Sequence, residues 1–106
     1  MIVHLGRYEF TLCPSLGVME DKAGVYAVLC KQGEKYRVLD VGESATPKTR
    51  LATHERRPCW ERNRDGAMMY AIYPTPFSTQ RLRIDIEAEL RRLYTPPCGQ
   101  RPAQRA

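Results

Sequence analysis

Two stretches decide the fold: residues 24–26 (GVY) and residues 39–44 (LDVGES). Each belongs to a short apolar run, and a polar segment that contains Gly33 separates the two runs. β-Branched and aromatic residues favour strands, and glycine permits the chain to reverse. The pattern therefore predicts a β-hairpin with its arms over about 24–30 and 36–42.

The rest of the chain predicts an α+β domain built around this hairpin. We expect a small three-stranded antiparallel sheet flanked by helices, with an extra N-terminal strand or arm. The predicted elements are an edge strand or extended arm over 1–14, a helix over 47–57, a helical turn over 58–65, a third strand over 67–73 and a helix over 78–94. Residues 1–99 are expected to form this single domain, and the polar, basic stretch 100–106 is expected to be a disordered tail.

Simple periodicity predicts which side chains share a face. Along the second hairpin arm, alternation places Tyr36, Val38 and Asp40 on one face of the sheet. Arg37, Leu39 and Val41 are then on the other face. In the last helix, an apolar stripe is predicted from Leu82, Ile86, Leu90 and Leu93.

Composition narrows the classes of partner. Lys and Arg number 17 against 12 Asp and Glu, which gives a formal net charge of +5. Such a charge favours polyanionic partners, above all nucleic acid, although a small domain can also carry it for solubility. No apolar run approaches the length of a membrane span, and the N-terminus does not resemble a secretory signal, so a cytoplasmic protein is expected.

The four cysteines are widely spaced and form no CxxC pair. This arrangement favours reduced, mostly buried thiols over a disulfide framework. A zinc site made by Cys59, Cys98 and His54 is the less favoured alternative, because paired ligand spacing is absent.

Several polar residues are candidates for a site, and each also has a structural interpretation. Arg50 and His54 are four residues apart, so one helix would project both from the same side, either as functional groups or as a solvated face. Glu87 could act chemically or form helix ion pairs with its arginine neighbours, and Tyr26 could be only an aromatic strand residue. Asp40 is the most informative position, because an acid inside an apolar strand is costly unless it is exposed or partnered.

The order and spacing of these residues resemble the GIY-YIG nuclease superfamily. Residues 24–26 match its first motif, and residues 40–42 (DVG) stand where its second motif, Tyr-Ile-Gly, is expected. Arg50 and His54 reproduce the spacing of its helical arginine and histidine. Glu87, on a later helix that runs to a proline, matches its metal-binding glutamate.

The resemblance implies a metal-dependent endonuclease that hydrolyses phosphodiester bonds, with DNA favoured over RNA as the substrate. Tyr26 would be the general base, Arg50 would clamp the phosphate, and His54 would be an auxiliary base or phosphate contact. Glu87 would hold Mg²⁺ or Mn²⁺, which acts as a Lewis acid in this family. A homodimer or a partner protein would supply the specificity that so small a domain lacks.

Two departures from the motifs keep other functions open. Asp40 replaces the tyrosine of the second motif, which puts an anion where phosphate must dock, and Gly99 replaces an expected asparagine. A catalytically inactive module that binds nucleic acid or protein on the same fold is therefore the alternative. A third possibility is an unrelated small-molecule enzyme that uses a cleft between Asp40 and Tyr26.

Overall fold

In the computed structural model, which describes residues 1–99, the chain forms five strands and three helices together with one short 3₁₀ turn at Leu16–Val18. The strands are β1 (Ile2–Leu5), β2 (Tyr8–Cys13), β3 (Gly24–Gln32), β4 (Lys35–Ser44) and β5 (Ala67–Pro74). The helices are α1 (Pro47–Ala52), α2 (Arg57–Asn63) and α3 (Gln80–Tyr94). The predicted tail at 100–106 lies outside the described residues.

Strand β3 lies inside a five-stranded antiparallel sheet whose order is β1-β2-β5-β3-β4. It pairs with β4 on one side and with β5 on the other, and its first seven residues are all buried. A strand covered on both faces and both edges must be continuously apolar, which explains the uninterrupted run that follows Gly24. The predicted hairpin is confirmed, with Gly33 at φ 63° in its two-residue turn.

The α+β class is confirmed, but the sheet has five strands rather than three with an arm. Residues 2–13 fold on themselves as the hairpin β1–β2, which turns at Gly6 with φ 60°. Strand β2 then pairs with β5 through Thr11, Leu12 and Cys13. The alternating pattern of this segment indicated extended structure, but it did not reveal the turn or the pairing partner.

Hydrophobic clusters cover both faces of the sheet. One contains Val25, Ala27 and Leu29 of β3 together with Ile86 and Leu90 of α3. The opposite cluster includes Tyr26, Val28 and Cys30 from β3, Leu51 from α1, and Trp60 from α2. Neighbouring residues of β3 therefore face different helices, and Tyr26 belongs to the face covered by α1 and α2.

The predicted alternation along the second hairpin arm is wrong, because β4 carries an irregularity. The register with β3 shifts between Val28, which pairs with Asp40, and Leu29, which pairs with Val38. Leu39 is the extra residue of this bulge. Val38 and Val41 consequently join the cluster under α3, whereas Leu39 joins the cluster on the Tyr26 face.

The predicted helix over 47–57 is also wrong in its extent. Helix α1 ends at Ala52, and Thr53 leaves the helical conformation with φ −132° and ψ 36°. His54 therefore lies in the connection between α1 and α2 rather than one helical turn beyond Arg50. The predicted helical turn over 58–65 is the helix α2, which has Pro58 in its first turn, where a missing N–H costs nothing.

Helix α3 confirms the predicted C-terminal helix, but not its predicted apolar stripe. Ile86 and Leu90 are buried, whereas Leu82 and Leu93 are exposed by 44% and 58%. Arg83 is buried instead, and its Nε donates to Glu43 Oε1 at 2.9 Å. Within residues 1–99, no helix is both long enough and apolar enough to cross a membrane.

Candidate functional site

Tyr26 and His54 form the centre of the candidate site. The Tyr26 hydroxyl lies 2.8 Å from His54 Nε2, and both residues are buried. The histidine ring also packs on Trp60, with the ring centroids 4.8 Å apart. The connection after α1 thus brings His54 to the tyrosine that the first half of the chain places on β3.

The contacts of His54 determine which of its nitrogens carries the proton. Burial, followed by the charges of Arg56 and Arg50, lowers the His54 pKa to about 4, so the ring is neutral at pH 7. The backbone N–H of Arg56 donates to Nδ1 at 3.1 Å, and Nδ1 must therefore be the unprotonated nitrogen. The ring proton then sits on Nε2 and is donated to the Tyr26 oxygen.

Ionisation of the Tyr26 phenol is strongly disfavoured. Burial is the largest cause, and it raises the Tyr26 pKa to about 12. Arg56 and Arg50 act in the opposite direction, while Asp40 and Glu87 add to the increase. Charges from two helices, from the loop between α1 and α2 and from β4 therefore converge on this one hydroxyl.

Gly42 provides the space that the Tyr26 hydroxyl occupies. It pairs with Tyr26 across the β3–β4 ladder, and a β-carbon at position 42 would collide with the phenol oxygen and ring. Its backbone conformation does not demand glycine, since no positive φ occurs there. The glycine is needed for close approach alone.

Arg50 is the most accessible of the predicted site residues. Its side chain is 36% exposed, and its Nη2 donates to Glu55 Oε2 at 2.8 Å. This hydrogen bond is the main cause that lowers the pKa of the exposed Glu55 carboxyl to about 2. Arg50 acts on the Tyr26 pKa from α1, but it does not share a helix face with His54 as the spacing predicted.

Asp40 is fully buried, and its carboxylate is the hub of a set of hydrogen bonds that we term the Asp40 cluster (Asp40, Arg56, Trp60 and Arg91). Oδ2 accepts from Arg56 Nε at 2.7 Å and from Trp60 Nε1 at 2.8 Å. Oδ1 accepts from Arg91 Nη2 at 2.7 Å and from the backbone N–H of Val41 at 2.8 Å. The buried acid is therefore partnered on both oxygens, which removes the cost that an isolated carboxylate would carry.

Glu87 is tied to the Asp40 cluster through Arg91. Arg91 Nε donates to Glu87 Oε2 at 3.1 Å, and the Glu87 side chain is 17% exposed. The helix ion pair considered for Glu87 is thus formed with Arg91, whereas Arg83 pairs with Glu43 instead. Within residues 1–99, no three His, Cys, Asp or Glu side chains form a group that could hold a metal ion.

Asp40 and Gly99 lie next to each other in the structure. Gly99 has φ 86°, and a β-carbon built on it would lie 2.6 Å from Arg91 Nη2 and 2.9 Å from Asp40 Oδ1. A larger residue at position 99 would therefore displace the arginine from the carboxylate. Asp40, Arg91 and Gly99 form one packed arrangement.

The expectation of reduced cysteines is wrong for one pair. Cys59 of α2 and Cys98, which follows α3, form a disulfide, while Cys13 and Cys30 are free and buried. The zinc site weighed for Cys59, Cys98 and His54 is excluded in this state, because both thiols are consumed. Wide spacing in sequence concealed the pair, since the two residues are 39 positions apart.

Sequence reasoning missed the partners of Asp40. A buried acid predicts that basic groups lie nearby, but the chain has 17 Lys and Arg residues and no pattern that selects Arg56 and Arg91. The structure does bring Tyr26 and His54 into contact, and it places Arg50 and Glu87 where their charges influence the tyrosine.

Comparison with known proteins finds no matching family model, no matching curated protein and no matching solved structure.

Proposed function

We propose that this chain is a divergent GIY-YIG-like domain that hydrolyses phosphodiester bonds in nucleic acid with the help of a divalent metal ion. The observation that carries the proposal is the buried hydrogen bond between Tyr26 and His54, with Arg50 and Glu87 acting on the same hydroxyl. These four residues come from distant parts of the chain. A purely structural tyrosine does not require that convergence.

The tautomer of His54 gives it a definite role in this proposal. Because Nε2 carries the proton, His54 cannot take a proton from Tyr26, so it is a positioning residue and not the auxiliary base that the resemblance implied. Its N–H instead stabilises the phenolate of Tyr26, which forms by loss of the phenol proton to solvent and then accepts a proton from the attacking water to return to the neutral phenol. The pKa of about 12 makes that phenolate rare at neutral pH but strongly basic.

Arg50 supplies the positive charge that a phosphate requires. Its guanidinium is partly exposed, and the side chain of its present partner, Glu55, is 65% exposed. A bidentate arginine–phosphate pair would replace this weak exposed ion pair. Tyr26 would then act on the attacking water, and Arg50 would bind the phosphate.

Glu87 is the residue that would hold Mg²⁺ or Mn²⁺. Its ion pair with Arg91 uses Oε2, and Mg²⁺ typically keeps several waters while taking only one or two carboxylates plus substrate phosphates. A single carboxylate therefore fits a metal ion that the substrate helps to hold. When bound, the ion would supply Lewis-acid stabilisation of the leaving oxygen.

The test is a cleavage assay with single-stranded, duplex and branched DNA and RNA, in Mg²⁺, Mn²⁺ or a chelator. We expect metal-dependent cleavage that Glu87→Gln abolishes and that Asp85→Asn, an exposed acid on the same helix, leaves intact. Tyr26→Phe should remove activity while preserving the fold seen by circular dichroism. Cleavage no greater than that of Glu87→Gln on every substrate would contradict the proposal.

A second candidate, a non-catalytic nucleic-acid-binding module, is favoured by one specific observation. Tyr26 is only 2% exposed, and Gly42 and His54 enclose its hydroxyl. This candidate predicts binding that neither metal nor Glu87→Gln alters. The absence of binding at low salt would exclude it.

A further inference from the structure

A pocket of about 500 Å³ lies away from the Tyr26 site, on the face of the sheet that α3 covers. Its lining combines the end of β5, the loop that leads to α3 and the start of β2. We term it the Thr75 pocket, and its lining includes Tyr8, Tyr73, Pro74, Thr75, Pro76 and Phe77. Its volume falls within the range of small-ligand sites, roughly 300–1,000 Å³.

Thr75 is one of the polar residues that line this pocket, together with Arg7 and Ser78. The residue is 6% exposed, and among residues 1–99 its hydroxyl oxygen finds no hydrogen-bond partner. Its backbone is fixed on both sides, because its N–H donates to Ala23 and its carbonyl accepts from Ser78. Folding alone gives no reason to enclose an unpaired hydroxyl, since a buried polar group without a partner is costly.

The aromatic residues of the pocket supply flat apolar surfaces. Tyr8 and Tyr73 meet edge to face, with their ring centroids 5.2 Å apart. Phe77 is fully exposed at 101% and makes no contribution to the core. A large aromatic side chain held in solvent beside an enclosed hydroxyl is an arrangement suited to stacking on a planar, hydrogen-bonding ring.

The pocket and the Tyr26 site lie at the same end of the sheet. Pro74 pairs with Gly24, and Gly24 pairs with Ser44, so the pocket adjoins the strand ends near Tyr26, whose side chain belongs to the opposite face of the sheet. Tyr26 is two residues along β3 from Gly24, about 7 Å at the rise of a strand. A chain-like ligand would contact both places by passing around this end of the sheet.

We infer that the Thr75 pocket binds one unstacked nucleobase of a nucleic-acid strand, an inference that rests on the proposed function. The base stacks on Phe77 and hydrogen-bonds with the Thr75 hydroxyl, which can donate to or accept from any base edge. Because the oxygen is covered, the ligand reaches it through a rotation about χ1 of Thr75. The pocket thus selects single-stranded or opened nucleic acid over an intact duplex.

The first experiment measures the affinity of the full chain for a short oligothymidine and for an abasic strand of equal length, in a chelator. We expect the base-bearing strand to bind about 10-fold more tightly. Phe77→Ala should remove that difference, and Val18→Ala, which shortens an exposed apolar side chain outside this pocket, should keep it. Equal affinity for the two strands would overturn the inference.

The second experiment separates a ligand role of Thr75 from a structural one. Thr75→Val keeps the shape of the side chain and deletes the unpaired hydroxyl. We expect its thermal midpoint to rise while its affinity for oligothymidine falls, because the hydroxyl then serves only the ligand. A thermal midpoint that falls with the affinity unchanged would assign the hydroxyl to the fold and overturn its role.

The outcomes for the pocket and for hydrolysis are distinguishable. Nuclear magnetic resonance titration with thymidine should shift the amide signals of Phe77 and Ser78 equally in the parent chain and in Glu87→Gln. Shifts without any cleavage would leave the pocket standing and remove the proposed hydrolysis. Cleavage without these shifts would support the proposed hydrolysis and overturn the inference about the pocket.

Discussion

At the scale of single residues, the carboxylate of Asp40 accepts hydrogen bonds from two arginines, a tryptophan and a backbone N–H. These donors come from the loop after α1, from α2 and from α3, so one side chain of β4 joins three later parts of the chain. The cluster also explains why a polar residue is tolerated within an otherwise apolar strand. Together with Glu87, the charged groups of the cluster are balanced in sign, since two carboxylates face the guanidinium groups of Arg56 and Arg91.

We expect Asp40→Ala to destabilise the fold severely. Removing the acid leaves two guanidinium groups without their counter-charge, and breaking a buried ion pair in this way costs about 3–5 kcal/mol. The measurement is chemical denaturation, with Asp65→Ala as the control because Asp65 is exposed and accepts a hydrogen bond from the uncharged Gln32. A loss below about 1 kcal/mol, the value typical of surface substitutions, would contradict the structural role of Asp40.

The pH dependence of stability should reveal the protonation of His54. Its folded pKa is about 4, below the ordinary histidine pKa of 6.5, so the unfolded chain binds more protons between these two values. The contribution of His54 is therefore fully present above pH 6.5 and is lost as the pH falls towards 4. We expect the free energy of unfolding to decline over this window, and to decline less in His54→Gln. His4→Gln, at an exposed histidine, should behave like the parent chain.

At the scale of elements, β4 is an edge strand whose exposed side is covered near its centre. The N–H of Cys98 donates to the Leu39 carbonyl at 3.1 Å, and Arg91 donates to the carbonyl of Val41. Together with the bulge at Leu39, these contacts satisfy backbone groups that would otherwise invite another strand. The disulfide to Cys59 holds the covering segment against α2.

Reduction of this disulfide should weaken the fold. Closing a loop with a sequence separation of 39 residues stabilises a protein by about 2–4 kcal/mol. We expect the midpoint of urea unfolding to fall on reduction, and the Cys59→Ser/Cys98→Ser double variant to be insensitive to reductant. Thiol labelling of the denatured, unreduced chain should find only the two free cysteines, Cys13 and Cys30. Four labelled thiols would show that the disulfide is not formed.

The sequence predicted elements better than it predicted how they meet. The apolar run after Gly24, the turn at Gly33 and the presence of the last helix each depend on neighbours in sequence, and the sequence predicts all three. The bulge at Leu39 and the end of α1 before His54 depend on tertiary contacts, so local patterns could not reveal them. The sequence identifies both Tyr26 and His54 as candidates. Their hydrogen bond through Nε2 depends on tertiary contacts, so the sequence does not predict it.

At the scale of the whole molecule, the net charge of +5 should appear as a salt-dependent affinity for nucleic acid. Binding should weaken linearly on a plot of log affinity against log salt, because each neutralised phosphate releases counterions. We expect Arg50→Ala to reduce the slope by about one unit. Arg64→Ala is the matched control, since Arg64 bonds to Gly66 at the opposite end of the sheet. A slope unchanged by Arg50→Ala would remove Arg50 from the phosphate-binding surface.

The close approach of Gly42 to Tyr26 has a consequence for how this chain can evolve. A side chain at position 42 and a hydroxyl on residue 26 compete for the same volume, so position 42 cannot vary freely while Tyr26 is retained. In related chains we expect substitutions of Gly42 to accompany replacement of Tyr26 by a smaller residue. Such a lineage would lose the phenol and its partner at His54 in one step, and its Asp40 cluster could persist without them.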